Sequence, residues 1–261
     1  MVEGAPEASR LNRLRQMWDE GRTALGVIAT IPSVQVVQAL AQTPLDFIVI
    51  DMEHGAIDAG AAHAMIVATS GTRLVPLVRI AASTGWHAKL PLDLGAMGIC
   101  FPMTTQIQDA QTAARSVRYP PNGDRFWGPF YASMRYGLSI REYQDMADKE
   151  VLAIGTVEHI DSLATINEVV ATRGLDLLFI GPGDLATSMG LGGRSDHPEV
   201  QAAMMALETA ILGSSVHLGG VALSADRVSQ MMARGYKALV VGFDWSLLQK
   251  GVVSVTGGAL R

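Results

Sequence analysis

An oily run, Phe47-Ile48-Val49-Ile50, stops abruptly at Asp51-Met52-Glu53-His54-Gly55. A buried strand needs no such ending, and three more apolar runs end in the same polar way. The run at 74–79 closes on Arg79. The run at 151–156 closes on Thr156, with Glu158 just beyond. The run at 176–180 passes into Gly181-Pro182-Gly183-Asp184.

These residue types suit a limited set of chemistries. Glu158 and Asp184 follow consecutive runs, and two carboxylates brought together in a cleft repel unless a proton or a cation lies between them. With no cysteine ligand nearby, oxygen donors favour a hard divalent ion, Mg²⁺ or Mn²⁺, or Co²⁺. Two solvated acids, with Asp184 capping the next helix, would look the same in sequence. The Gly-Pro-Gly-Asp turn offers backbone N–H groups to an anion, or it is a plain strand-to-helix turn. Beside a metal pair it suits a carboxylate next to a chelating oxygen, as in a 2-oxo acid. A histidine at a strand end among carboxylates suits a general base, since a free imidazole titrates near working pH; His54 is read as one, with a structural histidine as the alternative. The other histidines (His63, His87, His159, His197, His217) sit in or near helices or turns. Arg79 at a strand end calls for an anion: a substrate carboxylate or developing enolate oxygen, or else Asp51 or Glu53.

The elements that must position these groups follow one rhythm. Strands are expected at 24–30, 46–50, 74–79, 97–101, 151–156, 176–180, 219–223 and 238–243. Helices are expected at 33–42, 57–69, 84–95, 106–117, 160–171, 197–212 and 224–234, with a last one at 244–256. The strands are apolar throughout rather than alternating, as in parallel sheets covered on both faces. Eight such units predict an α/β fold of the (β/α)₈ barrel type, whose chemistry sits at the C-terminal ends of the strands. The polar strand endings then share one rim. A doubly wound sheet usually opens with a Gly-rich turn, and the first turn here, ATIPSVQ, is not one. Residues 1–21 read as a tail and a helix over 9–20 with Ser9 as its cap, and 22–261 as one barrel domain. The stretch 118–148 reads as a structured loop over a site or an interface.

Bulk properties exclude other classes. The 261 residues are 49% hydrophobic and 17% charged, with net charge −5 and no basic patch, so neither nucleic acid nor an anionic membrane is an expected partner. No apolar run approaches the roughly 20 residues of a membrane span. The lone Cys100 reads as a core residue, and a cytoplasmic setting is expected. The four lysines, Lys89, Lys149, Lys237 and Lys250, fall on helices or before strands, so none is placed for a Schiff base.

Taken in order, DFIVIDMEHG (46–55), VPLVRI (75–80), LDLGAMGICFPM (92–103), RYPPNGDR (118–125) and FIGPGDLATSMGLGG with the trailing HPEV (179–200) resemble the HpcH/HpaI aldolases, a metal-dependent class II family. The resemblance implies a barrel whose last helix is exchanged between neighbours, in a hexamer built as a trimer of dimers. It implies that pyruvate binds a divalent metal through its carboxylate and keto oxygens. Glu158 and Asp184 match the metal ligands and His54 the general base. Arg79 matches the residue that orients the keto oxygen and stabilises the enolate. Asp93 matches the carboxylate that raises the basicity of the histidine, and Gly183 with Asp184 the turn that takes the pyruvate carboxylate.

The expected reaction is reversible cleavage of a 4-hydroxy-2-oxo acid to pyruvate and an aldehyde. Two departures bear on substrate. Thr156-Val157-Glu158-His159 stands where the family has Gln-Ile-Glu-Thr, so Thr156 replaces an amide that contacts substrate. Trp127, Phe130, Tyr131 and Tyr136 occupy a normally glycine-rich run and are expected to reshape the acceptor side, with Ala222 also smaller than usual. The rivals are a phosphosugar isomerase or epimerase, disfavoured because Gly219-Gly220 opens its strand on the wrong rim for phosphate, an acyl-CoA-type lyase, and a silent barrel that binds a 2-oxo acid.

Overall fold

The computed structural model describes residues 12–257. Its first helix, α1 (Arg13–Asp19), is capped by Asn12, whose side chain accepts the Leu14 N–H at 3.0 Å. The expected cap, Ser9, lies outside the described residues. The buried Leu14, Met17 and Trp18 turn α1 onto the barrel base. Trp18 Nε1 donates to the Lys237 carbonyl at 2.9 Å, and Asn12 Nδ2 to the Met97 carbonyl at 3.1 Å. Both carbonyls precede strands, so the helix lies across the N-terminal rim.

Eight parallel strands close in sequence order: β1 (Ala24–Ala29), β2 (Phe47–Asp51), β3 (Val75–Arg79), β4 (Gly98–Phe101), β5 (Leu152–Val157), β6 (Leu177–Ile180), β7 (His217–Val221) and β8 (Ala238–Phe243). The fold is a (β/α)₈ barrel. The outer helices come where the sequence places them: α2 (Val34–Ala41), α3 (Ala59–Ala68), α4 (Gly85–Asp93), α5 (Ile107–Ser116), α8 (Ser162–Val170), α10 (Pro198–Leu212), α11 (Ala225–Ala233) and α12 (Asp244–Val255). No described helix is long and apolar enough to cross a membrane.

Three further helices, α6 (Phe130–Arg135), α7 (Ile140–Glu150) and α9 (Pro182–Ser188), fall where loops and turns are expected. The stretch 118–148 therefore holds α6 and most of α7. The signal for α7 was present: Ser139 and Glu142 form a capping box, and Tyr143, Met146 and Ala147 form a buried face at helical spacing. The Gly-Pro-Gly-Asp turn is the first turn of α9, with Gly181 as N-cap.

Two aromatic rings fill the lower barrel. Phe47 and Phe179 lie 6.4 Å apart, both buried. Each needs a glycine opposite: a Cβ on Gly26 would stand 2.3 Å from the Phe47 ring, and one on Gly219 2.6 Å from Phe179. A Cβ on Gly220 would meet Tyr236 and Met231. The glycine pair of β7 thus serves packing.

At the upper rim Asp244 staples the β1–β8 seam. Its buried carboxylate accepts the N–H groups of Thr30 (3.0 Å) and Ile31 (2.8 Å) and the Thr30 hydroxyl (3.0 Å). On α12, Leu248, Val252 and Val255 remain exposed.

Candidate active site

Alternation along a strand sends every second side chain inward. One inward residue from each strand contributes to the lining layer of a cavity of about 280 Å³: Ile28, Val49, Arg79, Cys100, Thr156, Phe179, Val221 and Val240. The layer is two-sided. Arg79, Cys100 and Thr156 come from the adjacent β3, β4 and β5, and Glu158 lies above them. The remaining arc, β6 through β8 and on to β1 and β2, is apolar, with Phe243 added above β8. Cys100 is a core residue as expected, its thiol pushed up to about 12 by burial.

Asp51 and Arg79 are register partners on β2 and β3. Arg79 donates Nε to Asp51 Oδ1 at 2.9 Å and Nη2 to Oδ2 at 2.7 Å, a bidentate pair. Its Nε also lies 3.2 Å from Glu53 Oε2. The ion-pair alternative for Arg79 is therefore realised. Burial opposes the charge on Asp51, but the Arg79 hydrogen bonds and charge outweigh it, helped by the His54 and Glu53 N–H groups, and hold the carboxyl below its ordinary range. Gly55 ends this turn because a Cβ there would stand 2.3 Å from the Asp51 carbonyl.

Glu158 is 5% exposed. Its Oε1 accepts the Met103 N–H at 2.7 Å. Burial pushes the carboxyl up to about 7; the Met103 N–H works against this, and the charges of Asp184 and Glu53 add to it. Burial likewise raises Glu53, with Asp51 and Asp184 contributing in the same sense. Gly181 leaves the space beside Glu158 open, since a Cβ there would stand 2.9 Å from Oε2. Sequence reasoning missed Met103. It has a left-handed φ of 49°, uncommon for a side chain without a short polar group, and nothing in Pro-Met-Thr announces it.

Above the layer lies an outer compartment of about 310 Å³. It is lined by Glu53, His54, Met103, His159, Thr187 and Ser188, and it shares Glu158 and Asp184 with the inner cavity. His54 is exposed, with Nε2 3.7 Å from Glu53 Oε2. Asp184, in the first turn of α9, is exposed to the same space, as is Gly183.

Asp93 is placed elsewhere. It ends α4, which runs back toward the opposite rim, and its Oδ2 accepts Lys89 Nζ at 2.8 Å. The expected support of His54 by Asp93 is not made within the chain; the carboxylate beside His54 is Glu53. The aromatic run also lies away from the cavity. Tyr136 donates to the Gly95 carbonyl, just past α4, and Trp127, Phe130 and Tyr131 are exposed and line neither compartment. Ala222 is buried beyond β7 and lines neither. No lysine lines either compartment.

Four carboxylates (Asp51, Glu53, Glu158, Asp184) surround one guanidinium, a formal charge of −3 when all are ionised. Such a site suits a divalent cation between Glu158 and Asp184. No group of three or more His, Cys, Asp or Glu side chains among the described residues could hold a metal. An ion here would have two protein carboxylates and open positions for water or substrate, the usual habit of Mg²⁺.

A closed (β/α)₈ barrel with its ionisable groups gathered on the C-terminal rim belongs to the large class of barrel enzymes. A sequence model of the HpcH/HpaI aldolase/citrate lyase family matches residues 30–250, and the chain belongs to that family. It is 37% identical over 180 residues to a hydroxypyruvate/pyruvate aldolase of Rhizorhabdus wittichii, covering 69% of this chain and 70% of the relative. It is 30% identical over 244 residues to a hydroxypyruvate/pyruvate aldolase of Paraburkholderia phytofirmans, covering 90% and 94%. Among solved structures, an HpcH/HpaI aldolase/citrate lyase family protein from Burkholderia cenocepacia superposes with a TM-score of 0.86 at 28% identity, covering 96% of this chain and all of the other.

Proposed function

We infer that the protein is a divalent-metal-dependent aldolase that cleaves a 4-hydroxy-2-oxo acid reversibly to a pyruvate-type 2-oxo acid and an aldehyde. The observation that carries this reading is the excess of carboxylate around the cavity, which would repel an anionic 2-oxo acid unless a cation lay between. Glu158 and Asp184 would hold Mg²⁺, Mn²⁺ or Co²⁺. When bound, such an ion supplies Lewis-acid stabilisation of the oxygen that becomes negative.

The chain's own groups perform the rest. The Gly183 and Asp184 N–H groups, at the start of α9, are aimed to receive the substrate carboxylate. Arg79, held flat by Asp51, has Nη1 left to donate toward the keto oxygen, and the Thr156 hydroxyl lies in the same layer. His54, in the outer compartment, accepts the proton of the 4-hydroxyl. The C3–C4 bond then breaks, the aldehyde departs outward, and its electron pair is left on C3 and the keto oxygen opposite Arg79. In reverse, C3 attacks the aldehyde carbon and His54 returns the proton. The exposed apolar side of α12 supports the expected exchange of that helix within a hexamer. An Asp93–His54 pairing would need a second copy, because the two lie on opposite rims of one barrel.

The test is exchange of the pyruvate methyl protons into deuterated water. Exchange should need added Mg²⁺ or Mn²⁺, stop with a chelator, and be lost in Glu158→Ala. Aldol cleavage should be lost in His54→Ala. Exchange that persists in the chelated protein would overturn the metal assignment.

A further inference from the structure

We propose that the donor site is built for 2-oxo acids longer than pyruvate, with an unbranched alkyl group on C3 seated in the apolar arc of the inner cavity. The inference rests on the aldolase reading and names the donor class it leaves open.

Three observations carry it. The first is room. About 280 Å³ holds roughly nine waters at ~30 Å³ each, whereas pyruvate has six non-hydrogen atoms, all on its polar side except the methyl. The second is the character of the wall. Across five consecutive strands the layer presents Phe179, Val221, Val240, Ile28 and Val49, and Phe179, Val240, Ile28 and Val49 are each at most 9% exposed. A hydroxyl pushed against that arc would lose water and meet no partner. A methylene would gain about fourfold in affinity.

The third observation is direction. Glu158 and Asp184 sit on the boundary between the compartments, and His54 lies only on the outer side. The carbon that reacts with the aldehyde must face His54, so the acceptor occupies the outer compartment. Apart from Glu158 and Asp184 on that boundary, the inner one has no acid or base for proton transfer, Cys100 being a buried thiol. What enters it is a group that takes no part in the reaction, the second substituent on C3. Thr156 opens this space: its short side chain stands in the layer where a longer one would cross the cavity, and it is 8% exposed.

The experiment follows C3 exchange in the Mg²⁺-loaded protein in deuterated water, where a C3–H bond breaks and a C3–D bond forms with the acid otherwise unchanged. The donors are pyruvate, 3-hydroxypyruvate, 2-oxobutanoate and 2-oxopentanoate. Their dissociation constants are measured in parallel by calorimetry. The proposal expects 2-oxobutanoate and 2-oxopentanoate to bind at least threefold more tightly than pyruvate and to exchange with a higher kcat/KM than 3-hydroxypyruvate. Val240→Thr, nearly equal in volume, should cost 2-oxopentanoate about fivefold in kcat/KM and leave pyruvate within twofold. Val221→Phe should exclude 2-oxopentanoate alone. Pyruvate exchange with 2-oxopentanoate binding tenfold weaker, or 3-hydroxypyruvate preferred over both alkyl donors, would overturn the proposal and leave the aldolase reading intact. Absence of exchange with every donor would overturn both.

Discussion

Asp51 and Arg79 face each other across neighbouring strands in direct register, joined by hydrogen bonds of 2.9 and 2.7 Å, with the carboxylate side chain fully buried. The arrangement fixes the guanidinium plane, so the one reach left to Arg79 is into the cavity. Asp51→Asn keeps the shape and removes the counter-charge, leaving only Glu53 at 3.2 Å. Loss of one partner from a buried pair costs about 3 kcal/mol or more, to be read from urea midpoints at pH 7. Because the Asp51 pKa is lowered on folding, its stabilisation is present above the ordinary carboxylate range and fades as pH falls through the lowered value. The gap between wild type and variant should therefore narrow below about pH 4; a constant gap would show that the pair's charge is not what stabilises.

Glu158 has the opposite sign. Its carboxyl is raised from 4.5 to about 7, so the folded, metal-stripped protein binds the extra proton between those values. Stability should be fully present below 4.5 and fall as pH rises through 7, by about 3 kcal/mol at most. Glu158→Gln should lack that slope. Parallel pH–stability curves for the two stripped proteins would refute the assignment.

Gly181 admits no side chain beside Glu158, since a Cβ there would approach Oε2 to 2.9 Å. Gly181→Ala should displace the carboxylate, weaken Mn²⁺ binding measured by electron paramagnetic resonance about tenfold, and slow turnover at least as much. Its melting temperature should move by only a few degrees. Unchanged Mn²⁺ affinity would mean that Glu158 is not a ligand.

Asp244 should act on the fold and not on the chemistry. Asp244→Ala strands the part-buried N–H groups of Thr30 and Ile31, at a cost of about 1–3 kcal/mol. Calorimetric melting should drop accordingly, while KM for the 2-oxo acid holds within twofold. A KM change without a melting change would place Asp244 in the site instead.

What the sequence made legible was the barrel and its upper rim. Apolar runs of strand length, each closing on a polar residue, carry that information locally, so Asp51, Glu53, Arg79, Thr156 and Glu158 were placed before any contact was known. What it hid depends on neighbours. Helix α7 carried a capping box but sat among prolines, glycines and aromatics that read as loop. Asp93 falls in a matching motif, yet the direction of α4 carries it to the far rim. The left-handed Met103 that holds Glu158 is set by the turn after β4, not by its own preference. The two-sided layer of the cavity emerges only when eight strands, distant in sequence, contribute one residue each.

Phe47 and Phe179, wedged against Gly26 and Gly219, sit above a floor already crossed by α1. The cup is therefore blind at its lower end, with a single doorway shared by everything that enters or leaves. For a donor lodged deep and an acceptor lodged shallow, traffic becomes strictly last-in, first-out. Steady-state kinetics should display that queue as an unreactive aldehyde analogue that competes with the acceptor and, lodged in the doorway ahead of the donor, also raises the KM for the keto acid.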